Sequence, residues 1–348
     1  MPYTTIDKST DHFNTLKYVG NGSDGHSITG VGFKPDFVWT KNRDHAADHY
    51  VHDIVRGVEK AIRPNVSSGT YDTSINLQSF DTDGFTVGTQ DGLNKSGDNI
   101  VAWNWLAGGS QGSSNTDGSI NTTYTSVNTT AGISIIEYNG NGTGGATIGH
   151  GLGVAPKLVW IKRLDTTSNW IFGSAALGFN KFLYLNTTDS VQTNSGTFND
   201  TAPDNSVITL GTWNDVNNSS GTYICYAFAE KAGFTKGGLF NGNGNADGPF
   251  LQTGFKPSFF IIKNYGNSSE RWSIYDNKRL GYNDSNNRLV PSDSTVEASE
   301  TKLDFLSNGI KIKSAGDGHL NNNGHTFVWW AFAEAPIVGS NNTPATAR

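Results

Sequence analysis

Cysteine is almost missing from this chain. Cys225 is the only one in 348 residues, so no internal disulfide can form, and folding in a reducing compartment is expected. Charge is scarce too. Asp, Glu, Lys and Arg make up 16% of the residues, with a net charge of −6, whereas about 25% is ordinary for globular chains. No Lys/Arg cluster appears, so a phosphate-tracking surface and a nucleic-acid partner are not expected. No apolar run approaches the roughly 18 residues of a membrane helix, which argues against membrane insertion. The opening residues Met1 to Lys8 hold no apolar run either, so no signal peptide is expected. Amphipathic helical periodicity is absent. Only the stretch Asp53 to Lys60 could make one turn or two.

What fills the space is glycine, with 42 residues, together with Asn, Ser and Thr. These are turn formers and strand-surface residues. Short apolar segments alternate with them about every ten residues, the pattern of an all-β sandwich. In Phe37-Val38-Trp39-Thr40, the two-residue period sends Phe37 and Trp39 to one face and Val38 and Thr40 to the other.

The same sentence of residues is written three times. Gly-Asn-Gly opens a copy at Gly20, Gly140 and Gly242. A proline strand follows: Pro35 to Lys41, Pro156 to Lys162, Pro257 to Lys263. An aromatic-alanine strand closes each copy, around Trp105, Phe228 and Phe332. Trp170 and Trp272 correspond, with His49 in that place in the first copy. The expected fold is all-β, with three tandem two-sheet β-sandwich units joined by Gly/Asn/Ser-rich connectors. The expected boundaries are an N-terminal segment 1–17, repeat one 18–107, a connector 108–131, repeat two 132–232, repeat three 233–337 and a polar tail 338–348.

Motifs that could carry chemistry are few. Gly20 to Gly25 and Gly140 to Gly145 match the dinucleotide pattern G-x-G-x-x-G, but a β-type segment follows each instead of the helix that holds pyrophosphate. Hairpin-turn chemistry explains them. Gly108 to Gly112 has the spacing of a nucleophile elbow around Ser110, yet a low-complexity linker follows it. His45, His49 and His52 would share a face on a helix and are the weak metal candidates. The other copies have no histidines there, and no cofactor is expected. Asp81 and Asp83 precede Gly84 in a turn, and the third copy has Leu306 and Asn308 instead, so no repeated catalytic carboxylate pair exists. Trp213, on a polar loop where the first copy has Gln90, suits stacking on a sugar or a protein contact. Tyr265 is a second, weaker ligand-contact candidate.

The combination of Gly-Asn-Gly, Gly-Phe-Lys-Pro-x-Phe-Val-x-x-Lys, Asp-Gly-Phe-x-Val-Gly and a Trp/Phe-Ala-Glu closing strand resembles an uncharacterised repeat domain of tailed bacteriophages, especially marine phages and cyanophages. The start Met1-Pro2-Tyr3-Thr4-Thr5-Ile6-Asp7-Lys8 resembles theirs as well. The resemblance covers residue 1 to about 337. It implies that the sandwich units are of jelly-roll or concanavalin-like type, and it implies a tail-fibre-like or virion structural protein, made in the host cytoplasm and resident on the virion, with no catalytic residues to carry over. On that basis we expect a non-enzymatic appendage protein for host attachment or virion assembly. Its partners would be other virion proteins, a host cell-surface glycan, and its own copies in a homo-oligomer, a trimer in particular. The alternatives from other classes are a polysaccharide-degrading sandwich glycosidase or depolymerase, and a carbohydrate-binding module.

Overall fold

The computed structural model describes residues 3–279, 283 and 286–338; most of the expected polar tail lies outside these. The fold is an all-β sandwich, as expected. Helix is confined to single turns, and the Asp53 to Lys60 stretch is a strand end followed by turns.

One strand order occurs in three sheets. In the first, Phe13–Val19 pairs with Asn99–Trp105, which pairs with Phe37–Asn42, which pairs with Tyr50–Asp53. In the second, the same places are taken by Ile133–Asn139, Thr222–Phe228, Leu158–Arg163 and Ile171–Ser174. In the third they are taken by Thr235–Asn241, Thr326–Pro336, Phe255–Asn264 and Ser273–Asp276. All pairings are antiparallel. The closing strand of each copy therefore lies in the sheet interior, which is why it is apolar on both faces. Pro257, unlike Pro35 and Pro156, falls within its strand, and the register shifts on either side of it, as expected for a proline that cannot donate to the ladder.

Each copy adds smaller pieces. Hairpins Leu77–Asp81/Gly84–Val87 and Leu303–Leu306/Gly309–Ile312 match one another across the first and third copies. The middle copy keeps only Val207–Thr209 at this place, paired with Thr147–Gly149. It instead widens its main sheet to seven strands with Tyr124–Asn128, Lys181–Tyr184 and Gln192–Thr193.

Two expected boundaries move. The first sheet begins at Phe13, so the expected segment 1–17 is cut by a strand. The Gly-Asn-Gly opener follows the first strand of its copy instead of preceding it. The connector 108–131 is not wholly loose chain: Tyr124–Asn128 pairs with Ile133–Asn139, and Ile120 bridges to Ile148.

The two faces of each main sheet bury different things. Val38, Tyr50 and Ala102 pack outward on Ile28, Phe85 and Val87 in the first copy. Val159, Ile161 and Ala227 do the same on Ile148, Ile208 and Leu210 in the second. The opposite faces of all three sheets meet in one shared core. Phe37, Trp39, Trp103 and Trp105 join Trp160, Tyr226 and Phe228, and these join Phe259, Trp330 and Phe332. Ring contacts cross between copies: Trp39 stands edge-on to Trp160 at 5.9 Å, and Trp105 to Phe332 at 5.5 Å. Aromatic pairs of this geometry contribute roughly 0.5–1.5 kcal/mol each beyond the area they bury. The arrangement is thus not a string of separate sandwiches.

Candidate functional site

The Gly-Asn-Gly loops are built by a buried asparagine that the motif reading overlooked. Asn94, Asn217 and Asn321 each accept from the backbone N–H of the loop asparagine, at 2.9 Å in all three copies. Each also donates to two carbonyls around the loop. The first glycine has no room for a side chain, because a Cβ at Gly20, Gly140 or Gly242 would sit 2.2–2.4 Å from a backbone oxygen. The second has φ near +70° in every copy, where glycine is favoured. The loops are thus turn structures that lead into strands, not phosphate cradles. The signal for the asparagines was present as Asn followed by a glycine shortly before each closing strand.

The three copies are stitched to one another in a ring, each bond type occurring once per seam. Trp170 Nε1 donates to Arg63 O at 3.0 Å, Trp272 Nε1 to Tyr184 O at 2.9 Å, and His49 Nε2 lies 3.0 Å from Val290 O. The second copy thereby reaches the first, the third reaches the second, and the first reaches the third. His49 accepts from Trp39 Nε1 through Nδ1, so its proton sits on Nε2 and points at Val290. Burial holds its pKa well below the ordinary value, so the ring is neutral.

The lysine that ends each proline strand repeats the pattern. Lys41 Nζ reaches Ser294 O at 3.3 Å, Lys162 Nζ reaches Ser67 O at 3.1 Å and Lys263 Nζ reaches Thr188 O at 3.2 Å. Each also donates to carbonyls of its own copy. Burial pulls Lys162 down to about 7 and Lys41 and Lys263 to about 8. Backbone bonds close each seam: Thr70 N to Leu164 O, Val191 N to Tyr265 O, and Glu297 N to Arg43 O, at 2.8–2.9 Å.

Around this common frame the seams carry different side chains. Between the third and first copies, Arg279 holds Asp276 at 2.6 Å, Trp103 Nε1 donates to Asp276 at 3.0 Å, and Glu297 bridges Arg279 and Arg43 at 2.7 Å each. Burial would raise Glu297, but the two guanidiniums more than reverse that, and its pKa is lowered. Between the first and second copies, Arg56 holds Asp53 and the Tyr226 hydroxyl donates to Asp53, both at 2.6 Å. Here Thr70 and Leu164 stand where Glu297 and Arg43 stand in the other seam, and a cavity of about 220 Å³ opens. Between the second and third copies, Ser174 and Leu177 replace the Asp and Arg. Leu177, Val191 and Tyr265 pack on the shared core there, and Trp330 Nε1 has no hydrogen-bond partner among the described residues.

The candidate residues fall on this frame as follows. His45, His49 and His52 do not converge. His45 Nδ1 faces Lys95 Nζ at 3.0 Å, His49 is in the seam, and His52 is buried with neither ring nitrogen partnered, on the strand face opposite Asp53. Among the described residues, no group of three His, Cys, Asp or Glu side chains is placed to hold a metal. Trp213 is half-buried against the core of its own copy. Its ring is T-shaped to Phe182 at 5.2 Å, and a Cβ on Gly196 would lie 2.1 Å from it. Tyr265 is half-buried in the second–third seam. Asp83 accepts from Gly30 and Gly32 N–H, and Asp81 from the Thr86 hydroxyl, so both carboxylates serve turns. Ser110 lies in the chain leading to Tyr124–Asn128, where its carbonyl accepts from Ser126.

The chain is all-β, with three main sheets packed around one shared aromatic core. Residues 8–336 match a family described as a domain of unknown function (DUF7483), and the chain belongs to that family. The matched stretch runs through all three copies and both junctions, in keeping with their shared core. No curated protein and no solved structure matches the chain.

Proposed function

We propose that this protein is a non-enzymatic structural or attachment component of a phage virion, on a tail fibre or as a decoration of tail or capsid. The observation that carries the reading is the ring of seams. Each copy is bonded to both others through buried lysines, aromatic N–H groups and backbone, so the polar loops outside are displayed on a body that resists local opening. Such a body suits a part that must keep its shape outside the cell. The motif resemblance to phage virion proteins supports the same reading, and the single buried Cys225 accords with manufacture in a host cytoplasm.

The chain would assemble with other virion proteins and with itself, as a homotrimer, since virion appendages occupy symmetry axes. Gold-labelled antibody against the purified chain should decorate intact particles at a fixed position. Absence of the chain from purified particles would overturn the reading. Light scattering that gives a strict monomer both free and in released virion complexes would remove the trimer. Release of oligosaccharides from host envelope polysaccharide, abolished by a single Asp or Glu substitution, would make it a depolymerase instead.

A further inference from the structure

We infer that the seam between the first and second copies binds a single ring of a neutral saccharide. The argument comes from comparing one position across three seams. In the third–first seam, Glu297 fills the space over Arg279 and is clamped by Arg43. In the second–third seam, Val191 and Tyr265 fill it. In the first–second seam, the residues at those places are Thr70 and Leu164, which are too small to fill it, and a cavity of about 220 Å³ remains. That is below the range of drug-sized pockets, roughly 300–1,000 Å³, and suits one ring.

The lining selects the chemistry. Arg56 presents a guanidinium that is fixed by Asp53, Lys60 O and Val51 O, and Lys60 adds an ammonium. Glu137, Asp72, Thr70 and Thr222 line the same cavity, and Asp72 is the cross-strand neighbour of Lys60. Cations and carboxylates offset one another, so neither a strong anion nor a metal cation is favoured. A sugar hydroxyl both donates and accepts, and it fits a lining that mixes donors and acceptors better than any simple ion does. Leu164 supplies an apolar patch for the C–H face of the ring. Glu137 is half-buried, and burial, reinforced by Asp53, raises its pKa. Its cost of burial would be offset by hydrogen bonds from a ligand.

The inference deepens the attachment reading by giving it a site, and it rests on that reading for its biological use. The test is saturation-transfer NMR on the intact chain with D-glucose, D-galactose, N-acetyl-D-glucosamine and L-rhamnose. Transfer to at least one sugar is expected. It should vanish in Thr70→Glu/Leu164→Arg, which rebuilds the filling of the third–first seam, and weaken at least fivefold in Glu137→Gln, which keeps the fold if the double variant does not. It should be unchanged in Trp213→Ala. No transfer from any of the four sugars, transfer that survives both seam variants, or transfer lost in Trp213→Ala would each overturn the inference. Particle-adsorption assays separate this from the broader reading: adsorption that depends on this chain, without sugar transfer, removes the site and leaves attachment standing.

Discussion

The third–first and second–third seams solve the same packing problem with opposite chemistry. Both are crossed by the same lysine, the same ring N–H and the same backbone bond. Over that frame, the first buries Asp276, Arg279, Glu297 and the Trp103 N–H in a network of charge-assisted bonds. The second packs buried Leu177 with half-buried Val191 and Tyr265 and leaves the Trp330 N–H unpaired among the described residues. A buried ion pair is not by itself more stabilising than an apolar contact of the same volume. Its distinguishing property is directional: it accepts only one partner arrangement. The charged pairs therefore serve to fix which copy lies beside which, while the apolar seam supplies contact without that discrimination.

The comparison breaks most easily at the arginine. Arg279→Met removes the cation and leaves Asp276 and Glu297 buried, and should cost about 3–5 kcal/mol in urea unfolding. The matched change Leu177→Met in the apolar seam should cost less than about 1.5 kcal/mol. Equal losses would show that the two seams are energetically alike. A finer cut removes the same volume on both sides: Trp103→Phe should cost about 1.5–3 kcal/mol more than Trp330→Phe, because only the former gives up a bond to a carboxylate. Tyr226→Phe in the first–second seam, which deletes only the hydroxyl on Asp53, should fall in the same range of about 1.5–3 kcal/mol.

A pH-dependent effect comes from the first copy, which carries the buried histidines His49 and His52. Burial lowers His52 to about 3, while its ordinary value is near 6.5. Below pH 6.5 the unfolded chain takes up a proton that the folded chain refuses until about pH 3. Stability from this group is therefore complete above pH 6.5 and lost as pH falls toward 3. His52→Leu should make the acid limb of stability against pH shallower by about 1.4 kcal/mol per pH unit between pH 6 and 4. An unchanged slope would mean that His52 is protonated in the folded chain.

Much of this was readable in the repeats. Aligning the three copies located the proline strand, its closing lysine and the correspondence of His49 with Trp170 and Trp272. Asp53-Ile54-Val55-Arg56 and Asp276-Asn277-Lys278-Arg279 also align, against Ser174-Ala175-Ala176-Leu177, but an Asp and an Arg three residues apart form no motif that marks a seam by itself. Helical spacing puts His45, His49 and His52 on one face, whereas His45 lies in a bend, His49 just before a strand and His52 within it. Trp213 looked available because its loop is polar, and only Gly196 and Phe182, far away in the chain, show where the ring goes. The cavity had no sequence signature at all, since it consists of side chains that are smaller than their counterparts.

The sequence by itself determined the strands, their faces and their threefold recurrence, because a two-residue alternation and a turn glycine act within a few residues. Tertiary structure decided that the inward faces belong to one another and not to three separate cores. An apolar face records that it must be covered and leaves its partner unspecified, since hydrophobic burial has no direction. The partner was chosen by directional groups: the lysines, which donate to carbonyls of the next copy, and Asp276 and Asp53, which accept from Trp103 and Tyr226 of a neighbouring copy; these partners lie far away in the chain and leave no mark in the sequence around them.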